Sequence, residues 1–400
     1  MSETPKTADA VLVTLPDVDG QGRGQLLGKS LALRQFELAR MLGCSRLIVL
    51  GNDLSPEGMD LRHKAEKAGM IFQVASGPHA LMALLAPQDR LLVLHPYLQA
   101  ETTALFADVP EQGMVVTVPA AAGVEAGFER IDLTRAWAGV LILRGGLLSR
   151  LLDLAEDSET APALLRIALQ AGLPERMLDQ SLLAEGRWSL PGGGPGGGPD
   201  GGEEMQIAEE RWIERHLGTG RPGSLSAWIA RQITRRFARQ MLSRAALLPV
   251  LLIGAVLLAG AAGYAGWSGQ AIAAFAMIGL SALTLEVAIT LSRLRAAPFG
   301  SAGPWDRLRL FIDVMFLTAA VLLVQGPWFR QMFAPLVLMS GLYQPVGSAP
   351  RSRFPDMRDR ALLGGGMAVL AAFLPAEQVV MAAAMAVLAV NLIFGLKRHG

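Results

Sequence analysis

The chain has 400 residues, 52% of them apolar, and its mean hydropathy of +0.37 is too high for an ordinary soluble protein, so part of it belongs in lipid. A formal net charge of +1 hides an asymmetry: residues 1–188 carry 17 Lys/Arg against 23 Asp/Glu, and the remainder 19 against 12. Basic charge beside apolar runs, with no aromatic-basic stripe or recognition motif, points to anionic lipid headgroups and excludes nucleic acid, and the single cysteine, Cys44, excludes an internal disulfide.

The first thirty residues contain acids and no apolar signal core, so no cleavable signal peptide is predicted and the first half is placed in the cytoplasm. Short β-like runs at Val11–Leu15, Arg46–Leu50, Ile71–Val74, Arg90–Leu94, Met114–Val118 and Ala138–Arg144 alternate with helical stretches at Leu31–Leu42, Glu57–Ala68, His79–Leu85 and Thr160–Ala171. That alternation predicts an α/β domain over 1–188 with a mostly parallel sheet. Cys44, after an apolar helical run, reads as a small buried thiol. Residues 22–30, Gly-Arg-Gly-Gln-Leu-Leu-Gly-Lys-Ser, imitate a phosphate-binding loop, but Arg23 stands where the Walker pattern needs its first glycine.

Residues 189–223 hold a Gly/Pro-rich tether (Leu190 to Gly202), a Glu-rich helical segment from Glu203 to His216 and a second short turn. Residues 224–244 repeat an apolar residue every fourth position (Ile229, Ile233, Phe237, Met241) among Arg231, Arg235, Arg236, Arg239 and Arg244. This is the pattern of an amphipathic helix in the membrane interface, with a packed surface helix as the alternative. Six apolar runs follow: Ala245–Trp267, Ala271–Leu291, Leu308–Val324, Met332–Val346, Ala361–Ala376 and Val379–Leu396. If the approach to the first is cytoplasmic, the inside segments carry fifteen Lys/Arg and the outside loops only Arg330. This bias predicts an all-α six-span bundle over 245–400, with both termini in the cytoplasm.

Between the second and third runs the spacing of certain positions carries the signal: Leu285, Ala288, Ile289, Ser292, Arg293, then Ala302, Asp306 and Leu310. This spacing resembles the CDP-alcohol phosphatidyltransferases, whose signature is Asp-x2-Asp-Gly-x2-Ala-Arg-x8-Gly-x3-Asp-x3-Asp within a six-span bundle preceded by an amphipathic helix. Arg293 matches the signature arginine and Asp306 the third aspartate, while Leu285, Ala288 and Leu310 replace the other three aspartates and Ile289 the glycine. The resemblance implies a bacterial inner-membrane protein of phospholipid headgroup synthesis, a homodimer, and divalent metal held by four carboxylates. One carboxylate cannot supply several oxygen ligands to Mg²⁺ or Mn²⁺, so no cofactor is expected and the transfer chemistry is depleted.

Two further acids lie within the apolar runs. Glu286 is seven residues from Arg293, about 10 Å along a helix, and Asp313 lies at similar depth below Arg307 and Arg309. Ionisable groups in a span merit a functional hypothesis: Glu286, Asp306 and Asp313 are candidates for a substitute proton or metal site, or else Glu286 and Asp313 pair with nearby arginines. The acidic half in turn resembles the nucleotidyltransferase-like domains fused to some members of that family, which carry a strand, a Gly-x-Gly-x-Arg loop and Lys-x-Leu opening a helix. Here Gly20, Gly22, Arg23 and Lys29-Ser-Leu31 take those places, with the arginine one position early, so the resemblance makes the glycine amides, Arg23 and Lys29 candidates to cradle a triphosphate; His95 stands where the family has a metal-binding aspartate. Three readings follow: a catalytically depleted relative that binds lipid, CDP-alcohol or nucleotide; an active transferase releasing CMP through a rearranged site; and an unrelated transporter or scaffold.

Overall fold

The computed structural model describes residues 7–15, 25–51, 53–153, 159–191, 201–217, 224–300, 303–343 and 359–396. Its contacts divide the chain into two compact units, Met1–Trp212 and Ile213–Gly400.

The first unit runs β1 (Ala10–Thr14), β2 (Gln25–Leu26), β3 (Lys29–Ser30), α1 (Leu31–Met41), β4 (Arg46–Leu50), α2 (Pro56–Lys67), β5 (Ile71–Ala75), α3 (Pro78–Ala83), β6 (Arg90–Leu94), β7 (Gln99–Ala100), β8 (Gly113–Pro119), α4 (Ala120–Glu125), β9 (Arg135–Arg144), α5 (Thr160–Gln170), β10 (Glu175–Met177), α6 (Gln180–Ala184) and β11 (Trp188–Ser189), and enters α7 (Gly201–Leu217). Seven strands form one sheet in the order β10-β8-β9-β6-β1-β4-β5. The β1–β4, β4–β5, β1–β6 and β8–β10 pairs are parallel, and only β9 runs against its neighbours. The sheet is therefore mostly parallel, as its sequence pattern requires. Both faces are covered, which explains the near-continuous apolar strands: Leu12, Ile48, Val93 and Leu141 pack in one cluster with Leu164 and Leu165 of α5, while the alternate residues Val11, Val13, Leu47, Val49 and Leu92 are equally buried. Serine caps start the first two helices, Ser30 accepting the Leu33 amide and Ser55 the Gly58 amide. Cys44 is buried and unbridged.

The second unit contains α8 (Leu225–Ser243), α9 (Leu247–Trp267), α10 (Ala271–Ala296), α11 (Asp306–Leu323), α12 (Trp328–Tyr343), α13 (Arg360–Leu370) and α14 (Ala376–Leu396). Among the described residues α9 and α10 are long and apolar enough to cross a membrane, with window hydropathies of 2.2 and 2.1. Of the others, α12 and α13 are shorter and α11 carries several charges. Expected and observed ends agree closely for α9, but α10 continues five residues beyond Leu291. The extension has a physical cause: Arg295, in its last turn, donates to the carbonyls of Met241, Arg244 and Ala245, closing the C-terminus of α8.

Helix α8 packs through positions next to those of its spaced apolar residues. Ser226, Ala230, Thr234, Ala238 and Met241 are buried, whereas Phe237 is 44% exposed and Trp228 49%. Small side chains let α8 approach its neighbours, and Ala230 and Met241 pack with Val287 and Leu291 of α10. Further along α10, Gly279 meets Gly364 of α13 backbone to backbone: a Cβ on Gly364 would lie 2.7 Å from the Gly279 nitrogen. Phe275, Ile278, Phe316, Leu338, Met367 and Val387 fill the adjoining core.

Candidate functional site

In the α/β unit the strand order reverses between β1 and β6, and ligands of open α/β sheets bind outside the carboxyl ends of strands at such a switch. Beyond β1 the chain enters residues 16–24, so the expected anion-binding residues Gly20, Gly22 and Arg23 lie outside the described residues. Beyond β6 comes His95. Burial holds the His95 imidazole down to about 4, and its Nδ1 accepts the Tyr97 amide at 3.3 Å, which requires an unprotonated nitrogen there. The ring stands edge-on to Trp137 at 5.7 Å. His95 is thus a neutral packing residue, and α1 is fixed to the same turn by Gln35, whose amide nitrogen donates to the carbonyls of His95, Pro96 and Leu98.

Lys29 begins β3, where its ammonium binds Glu37 of α1 at 2.5 Å; burial lowers its pKa, with Glu37 opposing. The β2–β3 hairpin turns through Leu27 and Gly28, both in the left-handed region with φ of 56° and 73°, as a two-residue turn demands. Leucine at the first of these positions is strained. The Leu27 amide donates to the carboxylate of Glu209 in α7 at 2.9 Å. Three residues on, Trp212 lies with its ring 4.7 Å from the Arg34 guanidinium. Arg34 is only 6% exposed; one of its nitrogens donates to the Leu26 carbonyl, while Nε and Nη1 have no partner among the described residues. Burial lowers its pKa to about 10 against the opposing charges of Glu37, Glu101 and Glu209, so it stays cationic at neutral pH.

In the helical unit a cavity of about 310 Å³ is lined by Ser224, Ser226, Glu286, Arg309, Asp359 and Arg360 over an apolar wall of Ala282, Leu285, Ile312 and Leu342. Each carboxylate there is already engaged. Glu286 of α10 accepts from Arg309 of α11 at 3.0 Å. Asp359 caps α13 through the Ala361 and Leu362 amides and also accepts the Ser226 amide in the first turn of α8 at 2.5 Å. Behind the wall, Asp313 is 4% exposed at its side chain and takes two nitrogens of Arg360 at 2.6 and 2.8 Å and the Tyr343 hydroxyl at 2.5 Å. Both guanidiniums are therefore held from one side by a carboxylate, and each keeps N–H groups for a further anion.

The residues expected for catalysis are separated. Glu286 lines the cavity, Asp313 is buried behind it, and Asp306 is exposed at the first turn of α11, outside the lining. Asp306 and Asp313 are two turns apart, but the fully buried positions of α11 begin at Ile312, after Asp306. Arg293 is exposed in the last turn of α10 and does not line the cavity. Leu285 does line it, bringing hydrocarbon where the signature has its first aspartate, whereas Leu310 points away, 55% exposed. Among the described residues no group of three or more His, Cys, Asp or Glu is placed to hold a metal. Sequence reasoning missed Asp359, Arg360 and Tyr343; the signal was Asp359 immediately before an apolar helix, the position of an N-cap.

No protein-family model matches the sequence, and no curated protein sequence matches it. Among solved structures, an inositol-1-phosphate CTP transferase from T. maritima is similar over 51% of this chain and 97% of that one, at 11% identity and a TM-score of 0.33. At that score the likeness adds nothing to the fold assignment, which rests on the strand order.

Proposed function

We propose that this is a multi-pass membrane protein on the plan of the CDP-alcohol phosphatidyltransferases, depleted in catalysis, whose helical cavity binds the phosphate of a lipid headgroup or of a CDP-alcohol. In this reading the six helices from α9 to α14 all cross the bacterial inner membrane with both ends in the cytoplasm, and the protein forms a homodimer that assists headgroup synthesis. The α/β unit is its nucleotidyltransferase-like partner module, with an anion site near Lys29.

The observation that carries the reading is the pairing of every cavity carboxylate. Glu286 and Asp359 are spent on Arg309 and on backbone amides, so neither is free to ligate a cation or take a hydroxyl proton. What remains available is cationic: the second edges of Arg309 and Arg360, beside the hydroxyls of Ser224 and Ser226. That set recognises phosphate.

Incubating the purified protein with a CDP-alcohol, acceptor alcohols and Mg²⁺ or Mn²⁺ tests it. The expected result is no CMP release together with CDP-alcohol or anionic-lipid binding that Arg309→Gln weakens about tenfold, the loss of one charge-assisted hydrogen bond. Metal-dependent CMP release identifies an active transferase, and transport of a solute into proteoliposomes identifies a carrier; either result overturns the proposal.

A further inference from the structure

We infer that α7 is a self-ligand of the α/β unit: Glu209 and Trp212 occupy, on the β2–β3 turn and Arg34, a site for the phosphate groups of a soluble ligand, and α7 must leave before that ligand binds. The inference rests on the reading of the Lys29 region as an anion site and adds its regulation.

Three observations carry it. First, the Leu27 amide already holds an anionic oxygen, because its acceptor at 2.9 Å is a carboxylate of the chain itself. Second, Arg34 is more than nine-tenths buried, yet two of its nitrogens have no acceptor among the described residues; a buried permanent cation with unused donors is unfavourable. Third, the group covering that cation is an indole face, 4.7 Å away and 2% exposed, which attracts the charge without accepting those hydrogen bonds. A ligand with several phosphate oxygens offers what the indole lacks, and it needs the place that Glu209 takes. The hairpin's left-handed Leu27 is held in shape by the same contact. Because α7 belongs to the same chain, its docking is intramolecular and competes at a high effective concentration.

Titrating the full-length protein with CTP and with inorganic triphosphate at fixed ionic strength tests this. Glu209→Gln and Trp212→Ala are expected to bind at least about tenfold more tightly than the wild type, the factor by which a mostly closed site lowers apparent affinity, and Arg34→Gln is expected to abolish binding. Binding of CTP alone adds a contribution from the base, whereas equal binding of both ligands assigns the site to phosphate; both outcomes support the inference. Equal affinities for the variants and the wild type overturn the self-ligand while leaving the anion site standing, and no binding by any of them overturns both. Hydrogen exchange on the wild type decides the matter if a variant fails to fold. Saturating ligand must speed exchange of the amides of residues 205–212 and slow that of Leu27, and unchanged protection of α7 in the bound protein rejects the idea.

Discussion

His95 and Asp313 show how burial acts on a group without and on a group with an opposite charge beside it. His95 is kept neutral, with a pKa of about 4 in the fold against 6.5 unfolded, so the unfolded chain binds the extra proton. Its contribution is fully present above pH 6.5 and is lost as pH falls from 6.5 towards 4, about 3 kcal/mol in all. Unfolding midpoints measured between pH 7 and 5 are expected to fall more steeply for the wild type than for His95→Gln. Asp313 instead meets Arg360 and Tyr343. Removing one partner strands a buried charge, so Asp313→Ala should destabilise the helical unit by about 3–5 kcal/mol, whereas Asp313→Leu with Arg360→Met should restore most of the loss. Thermal unfolding in detergent distinguishes the two. The presence of acids at 286 and 313 was legible from their depth in apolar runs. Pairing of Glu286 with a nearby arginine, Arg309, was one of the two alternatives open in the sequence, but Arg360 is 47 residues from Asp313 and no local spacing links them.

At the level of elements, the long strands were legible and the short ones were not. The runs at 46–50 and 90–94 coincide with β4 and β6, since buried parallel strands are continuous apolar segments bounded by turns. Strands β2, β3, β7, β10 and β11 have two or three residues each, too few for any periodicity to appear. In helix α8 hydropathy marks Ile229 and Phe237, whereas close helix packing selects the neighbouring positions Ala230, Thr234 and Ala238 by size, and these were not legible. The same criterion separates the glycines of α13. Gly364→Ala should cost about 1–3 kcal/mol, because its Cβ would meet the backbone of Gly279, which cannot swing aside. Gly366→Ala meets nothing within 4 Å and should be neutral or stabilising by up to about 1 kcal/mol. Comparing melting temperatures of the two variants checks both predictions.

For the whole molecule, the division into an acidic α/β part and an apolar helical part was legible from composition and charge, while the entry of α7 into the first unit was not, because its only sequence mark is a run of glutamates. Proposed topology makes a direct prediction: with Cys44 replaced by serine, a cysteine at Ser243 should react with an impermeant maleimide only from the cytoplasmic side. Cysteines at Ser268, Gln325 and Phe373 should react only from the opposite side. Labelling of Gln325 or Phe373 from the cytoplasm rejects six crossings while sparing α9 and α10. One bond also orders the assembly of the helical unit in time. Asp359 clasps the first turn of α8 across 133 residues of chain, so the earliest helix of this unit to leave the ribosome is not fastened until the fifth helix after it has started. During synthesis α8 must wait, its leading amides served by solvent, and a chain interrupted after α12 would keep every helix that α8 touches through α10 and still lack its buckle.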